Sequence, residues 1–198
     1  MAKTLKELRE DARKCQDCPL WANATQTVFG AGDPHARVML VGEQPGDEED
    51  KKGLPFVGPA GRLLDRALEA AGVGRDSLYV TNAVKHFKWQ LRGKRRLHKT
   101  PAQREIDACH QWLEGEIKTV KPHVIVALGA TAAKAVIASS FKVSVQRGQF
   151  VESPLAPYVF ATFHPSALLR LQDEEEKERA FEQLVKDLKL IQKALSRP

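Results

Sequence analysis

The chain has 198 residues, 42% hydrophobic and 28% charged, with a formal charge of +6 and a pI near 9.3. No apolar run approaches the ~20 residues of a membrane span, the odd set Cys15, Cys18 and Cys109 argues against a disulfide framework, and the basic balance points to a polyanionic partner. The length suits one sizeable domain or two small ones.

The first segment, "MAKTLKELREDARKC", is charged and helical in pattern rather than a secretory signal, so a cytoplasmic protein without membrane contact is expected. Next come a strand at 37–42 ("RVMLVG") and a helix at 60–72 that stops at Gly72. A second strand is predicted at 77–84 ("SLYVTNAV"). After the basic run of 85–104, a helix is expected over 101–120, with Thr100 as N-cap and Pro101 at the first helical position. A strand at 123–129, a helix at 130–138, a strand at 158–163 and a helix over roughly 173–195 complete the set. Strands alternating with helices predict a three-layer α/β/α sandwich around a mainly parallel, four-stranded sheet. No linker or internal repeat divides it, so residues 1–198 read as a single domain.

In such sheets ligands lie beyond the carboxyl ends of the strands. The segments there are "GEQPGDEED", "KHFKWQLRGKRRLH", "GATAA" and "HPSALLR". Five glycines and three prolines in 42–61 read either as a structural connection or as a rigid pocket wall, with Phe56 available to stack on a planar ring. Asn82, at the end of an apolar strand, is either a core-satisfied amide or a reader of a base edge. In "FHPSALLR", His164 is either a core histidine or a functional one. Ser166 can contact a phosphate, and the apolar residues after it can act as a wedge beside an extruded nucleotide. "GKRRLHKT" sets His98 among Lys94, Arg95, Arg96 and Lys99; such a run is either a solvated segment or a grip on phosphates. Cys15 and Cys18 form C-x-x-C after a helix, which disfavours a thioredoxin-like pair. With Cys109 and an imidazole they can hold zinc or an iron–sulfur cluster.

Taken together, "CQDCPL", "VFGAGDPHARVMLVGEQPGDEEDKKGLPFVGPAGRLLDRALEAAG", "LYVTNAVKHFKW", "GKRRLHKTP", "VIVALGATAAKA" and "FHPSALLR" span about residues 15–170. In that order they resemble the iron–sulfur family 4 branch of the uracil-DNA glycosylase superfamily, and most of all its UdgX-type members. The resemblance implies excision of uracil from single- or double-stranded DNA; a monomer is expected, since one exposed cleft suffices. It puts Glu43 and Gln44 in the first motif, Phe56 at the base-stacking position, Asn82 at the uracil edge and His164 in the second motif. It implies a [4Fe-4S] cluster held by Cys15, Cys18, His86 and Cys109. His86 stands where ordinary family 4 enzymes have cysteine, a change that makes the cluster less negative.

The "GKRRLH" insertion is shared with UdgX-type proteins, in which the loop histidine becomes covalently bonded to DNA after uracil leaves; His98 is the matching residue. Catalysis is then expected of His98, Glu43 and His164, uracil binding of Gln44, Phe56 and Asn82, and DNA binding of Lys94, Arg95, Arg96, Ser166 and Arg170. Neighbouring cations are expected to keep the ring of His98 uncharged. The competing readings are an ordinary multiple-turnover family 4 glycosylase and a non-catalytic, metal-stabilised DNA-binding module.

Overall fold

The computed structural model describes residues 3–197. Its elements in chain order begin with α1 (Leu5–Ala12), β1 (Ala31–Gly32), β2 (Val38–Gly42), α2 (Asp47–Lys52) and α3 (Pro59–Ala70). Next come β3 (Leu78–Asn82), β4 (Trp89–Arg92), β5 (Arg95–His98), α4 (Gln103–Val120), β6 (Val124–Leu128) and α5 (Ala130–Val136). The chain closes with α6 (Val143–Gln146), β7 (Tyr158–Thr162), α7 (Pro165–Leu168), α8 (Glu174–Leu188) and α9 (Leu190–Leu195). Among the described residues no helix is long and apolar enough to cross a membrane.

Strand parity produces the layers. Successive side chains of a strand point to opposite faces, so β2 sends Val38 and Leu40 one way and Met39 and Val41 the other. The first pair packs with Leu64 and Leu68 of α3, Leu184 and Leu188 of α8 and Ile191 of α9. The second packs with Leu113 and Ile117 of α4 and with Ala132, Ala133 and Val136 of α5. β6 divides in the same way, Val124 and Val126 against Ile125 and Ala127. Both faces being covered, the strands need no polar alternation and read as continuous apolar runs. The result is a three-layer α/β/α sandwich.

The main sheet has the order β1-β3-β2-β6-β7, with β3, β2, β6 and β7 parallel. Four apolar runs predict four strands; the sheet has five, because β1 adds an antiparallel edge to β3. Two residues, one of them glycine, carry no periodic signal from which to foresee it. From β2 the chain winds outward to β3 on one side, then returns to β6 on the other. The winding reverses between β2 and β6, and there a crevice opens at the carboxyl ends of the strands.

Helix boundaries differ from expectation: α3 ends at Ala70 rather than 72, α5 at Val136 rather than 138, and the short α2, α6 and α7 were not foreseen. α4 starts at Gln103, not Pro101, because the Glu105 carboxylate accepts the Ala102 N–H at 2.6 Å and caps the turn there. The helical pattern of 173–195 is divided at Lys189 into α8 and α9.

Candidate active site

Glu43, Gln44, Phe56, Asn82, His98, His164, Ser166 and Arg170 all line one cleft of about 1010 Å³ at the crevice. Residues far apart in sequence arrive there because β2, β3, β6 and β7 end at one rim.

Gly42 and Asn82 are register partners at the ends of β2 and β3. A Cβ on Gly42 would collide with Asn82 Oδ1 and would lie 2.6 Å from Phe56 Cζ. The absence of a side chain at position 42 therefore lets the Phe56 ring and the Asn82 amide close together. Phe56 is buried and adopts φ 55°. A left-handed backbone is unfavourable for a bulky residue and persists only where surrounding structure imposes it. Glu49 is part of that imposition: its carboxylate accepts Gly46 N–H at 3.0 Å and Gly58 N–H at 2.7 Å, stapling the two ends of the loop. The Phe56 ring lies 6.0 Å from the His164 ring at an interplanar angle of 28°.

His164 Nδ1 accepts the Ser166 backbone N–H at 3.1 Å, and Ser166 Oγ lies 2.8 Å away. An accepting Nδ1 places the proton of a neutral ring on Nε2. Burial pushes the His164 pKa down to about 4; Glu43 opposes that shift, and His98 and Arg170 add to it. The ring is thus a neutral hydrogen-bond donor at physiological pH.

Glu43 directly follows β2, and the Thr131 hydroxyl, in the first turn of α5, donates to its Oε2 across the crevice. Its Oε1 lies 3.1 Å from His98 Nε2. The Glu43 carboxyl is held below its usual range: burial works to raise it, and bonds from His98 and Thr131 outweigh burial. His98 is 35% exposed, so its ring is anchored on one side and accessible on the other.

The basic run is an ordered hairpin. Trp89 pairs with His98 and Arg92 with Arg95, around a two-residue turn that Gly93 opens at φ 62°. A positive φ at the first central residue matches the twist of the flanking strands. Strand parity puts Arg96 and His98 on the same face, turned toward the body, with Arg95 and Leu97 on the other. Arg96 consequently does not face outward with Lys94 and Arg95. Its guanidinium donates to Asp47 Oδ1 (2.6 Å) and to Asp50 Oδ2 (2.7 Å) and lies over the Phe87 and Trp89 rings. Arg96 is therefore already matched with acids, and the charged group touching the His98 ring is Glu43. The cation cage expected around His98 is not formed.

Gln44 is likewise committed. Its Nε2 donates to Lys88 O (3.2 Å) and Lys99 O (3.0 Å), and its Oε1 accepts Lys88 N–H (3.0 Å). The amide thus clips both strands of the hairpin at its base. Asp47, Asp50 and Thr131 escaped the sequence reading. The spacing of Asp47 and Asp50 in "DEED" does place them on one helical face, a usable signal. Thr131 sits inside "GATAA" with nothing to distinguish it.

Of the four expected cluster ligands, Cys15, Cys18 and Cys109 lie at or beside α4. Cys18 and Cys109 share an apolar cluster with Leu20, Val84 and Ile106, and Trp112 Nε1 donates to Cys15 Sγ at 3.3 Å. The Cys109 thiol donates a hydrogen bond to Cys18; this lowers the Cys18 pKa and, with burial, raises that of Cys109. Thr27 Oγ1 donates to Ala12 O at 3.0 Å, so at 2.9 Å from His86 Nε2 it must accept that ring's proton. His86 Nδ1 then presents a lone pair that is buried and unpartnered. Burial also pushes the His86 pKa down, as a neutral ligand requires. Among the described residues no three His, Cys, Asp or Glu side chains are grouped to hold a single metal ion. A polynuclear cluster takes one donor per iron, so its donors stand apart, and three thiols with one orphaned imidazole nitrogen fit that demand.

A doubly wound sheet with an aromatic ring, an amide and imidazoles at its switch point is the arrangement of an α/β protein with a ligand crevice. Residues 29–189 match the Uracil DNA glycosylase superfamily, and the chain belongs to it. Its relatives place it with the family 4 members. It is 40% identical over 186 residues to the type-4 uracil-DNA glycosylase of Thermotoga maritima, covering 93% of each chain. It is 36% identical over 186 residues to that of Pyrobaculum aerophilum, covering 89% of this chain and 91% of the relative. For the type-4 enzyme of Saccharolobus solfataricus the identity is 35% over 170 residues, covering 82% and 76%.

Proposed function

We propose that the protein is a uracil-DNA glycosylase that excises uracil and then becomes covalently attached to the abasic sugar through His98. Membership of the superfamily and the type-4 relatives support the first half. The observation that carries the second is the position of His98, 3.1 Å from the Glu43 carboxylate at the cleft and still exposed.

In this reading DNA lies across the cleft mouth with Lys94, Arg95, Ser166 and Arg170 toward its phosphates, which positions it without reading sequence. A uracil swung out of the stack enters beside Phe56, and Asn82 pairs with its edge, rejecting cytosine by its donor pattern. The Nε2–H of neutral His164 stabilises the charge that develops on the departing base. As the C1′–N1 bond breaks, its electron pair leaves with uracil and the sugar carbon becomes electron-poor.

A ring nitrogen of His98 then supplies the electron pair for the new bond to C1′. The other ring nitrogen passes its proton to Glu43, held low enough to be an anion beforehand. The product is a neutral N-glycosyl imidazole, a poor leaving group, so each molecule turns over once.

Cys15, Cys18, Cys109 and His86 Nδ1 would hold a [4Fe-4S] cluster. When bound, it supplies a cross-link between the segment after α1, the segment after β3, and α4. Purified protein should contain about four irons and four labile sulfides per chain and absorb near 400 nm; a colourless zinc protein would overturn the cluster alone.

The decisive assay incubates the protein with uracil-containing oligonucleotide and runs a denaturing gel. The wild type should give a shifted band whose tryptic adduct maps to His98. His98→Ser should lose the band and still release uracil. Wild-type release without any band would make the protein an ordinary multiple-turnover type-4 enzyme, and an adduct on another residue would refute the assignment to His98. No release at all leaves the DNA-binding module.

A further inference from the structure

Directly beneath the cleft lies an ion pair that the chemistry above does not use. Lys85 and Glu116 are 1% and 0% exposed. All three donors of the Lys85 ammonium are spent: on Glu116 Oε2 (2.6 Å), Thr81 Oγ1 (2.7 Å) and the backbone carbonyl of Asn82 (2.6 Å). Glu116 is equally saturated. Its Oε1 accepts from Gly30 N–H (2.9 Å) and Tyr79 OH (3.0 Å), and its Oε2 also accepts from the Thr81 hydroxyl (2.8 Å).

A buried pair of this kind is a poor device for stability alone, since apolar side chains of similar volume often serve as well or better. What it supplies is direction: three hydrogen bonds at set angles from one atom. One of them ends on the peptide of Asn82, where the chain leaves β3. On the other side of that peptide, Ala83 N–H donates to Gly42 O (2.9 Å) and Val84 N–H to Glu43 O (3.0 Å). The segment 82–85 is thus clamped to the Gly42–Glu43 strand end by its own amides and to the protein interior by Lys85. The clamp also reaches the opposite side, because Lys85 N–H points to Cys109 Sγ at 3.5 Å and Lys85 O accepts Val28 N–H at 2.8 Å.

We infer that Lys85, seated on Glu116, is a positioning residue that holds the Asn82 amide at the uracil edge. This rests on the reading of Asn82 as the uracil-recognising residue. A device acting through Asn82 has no purchase once that amide is removed, so its effect must be non-additive with loss of Asn82. General loosening of the fold would act on both backgrounds alike.

The test is a cycle of single-turnover uracil-release rates for wild type, Asn82→Ala, Lys85→Met/Glu116→Gln, and the three substitutions combined. Changing both partners avoids a lone buried charge. Lys85→Met/Glu116→Gln should slow release about tenfold or more when Asn82 is present, and less than about twofold on the Asn82→Ala background. Equal factors on both backgrounds, or no slowing on either, overturn the inference.

Should that variant lack a cooperative thermal transition, Thr81→Val decides instead, since it removes one acceptor and leaves the ion pair. It should slow release about threefold with Asn82 present and not at all on the Asn82→Ala background, and equal factors again overturn the inference. A wild type that releases no uracil defeats the parent reading and this inference together. Wild-type release with multiplicative losses defeats the inference alone.

Discussion

The rim of the sheet and the basic hairpin meet at one cleft and are built on opposite principles. The rim residues Gly42, Phe56, Asn82 and His164 grow out of strand ends or loops packed into the apolar core, and their positions follow from the sheet itself. The hairpin β4–β5 contributes no strand to the main sheet and has little apolar cover, Leu91 being 58% and Leu97 38% exposed. Polar fastenings hold it: Gln44 at its base, Arg96 on Asp47 and Asp50, Lys88 on Glu105 at 2.8 Å, and the Trp89 indole N–H on Asn23 O at 3.0 Å. The lesson is that the element bearing His98 is fastened onto a scaffold complete without it. Uracil recognition and covalent capture should then be separable by substitution.

The largest expected effect comes from damaging the rim. Gly42→Ala drives a methyl into Phe56 and Asn82. It should lower uracil release more than a hundredfold and take capture down with it, at a stability loss of about 1–3 kcal/mol from overpacking. Single-turnover kinetics and thermal melts measure both. Release within threefold of wild type would mean that the cleft tolerates a displaced Phe56.

A fastening of the hairpin gives the sharper contrast. Arg96→Met strips the cationic partner from Asp50, whose side chain is 0% exposed and keeps only its bonds from Thr25, and should cost about 2–4 kcal/mol, near what breaking a buried pair costs. Capture on the denaturing gel should slow about tenfold while uracil release falls less than threefold. Equal losses in the two assays would dissolve the distinction between rim and hairpin.

The smallest effect is a pH dependence confined to the rim. The His164 pKa is depressed to about 4 in the folded chain against an ordinary value of 6.5. Between those values the unfolded chain binds a proton that the folded one refuses, so stability falls as pH drops from 6.5 toward 4 and this contribution is flat above 7. His164→Gln should flatten that slope by about 2 kcal/mol, less than the whole shift converts to because the ring edge meets the open cleft. Denaturant melts at pH 7 and pH 4.5 measure it; identical slopes in variant and wild type would place the acid sensitivity elsewhere. Uracil release should show no protonation of His164 above pH 6.

The four buried strands were legible because apolar runs of six to eight residues bounded by turn formers have few other uses, and the longer helices because their apolar stripes are long; the short α2, α6 and α7 were not. β1 was not, having two residues and no pattern. The cleft residues were legible as types at strand ends, but their partners were not. "GKRRLH" reads as uniform positive charge until strand parity turns Arg96 inward and leaves Lys94 and Arg95 outside. Gln44 reads only as a residue at a strand end until its side-chain hydrogen bonds to Lys88 and Lys99 are found. In the acidic "DEED" the spacing sets Asp47 and Asp50 on one helical face, but nothing local names Arg96 as their partner.

By itself the sequence determined the layered architecture, the rim where the parallel strands end, and the residue types available there, because periodicity and strand ends are local properties of a chain. Only the tertiary structure decided which charge meets which. It set Glu43 between His98 and Thr131, paired Arg96 with two acids, and sealed Lys85 against Glu116 under Asn82. Ion pairs and hydrogen bonds act over a few ångströms, between residues 31 to 88 positions apart in these cases, and no local pattern encodes distances of that kind.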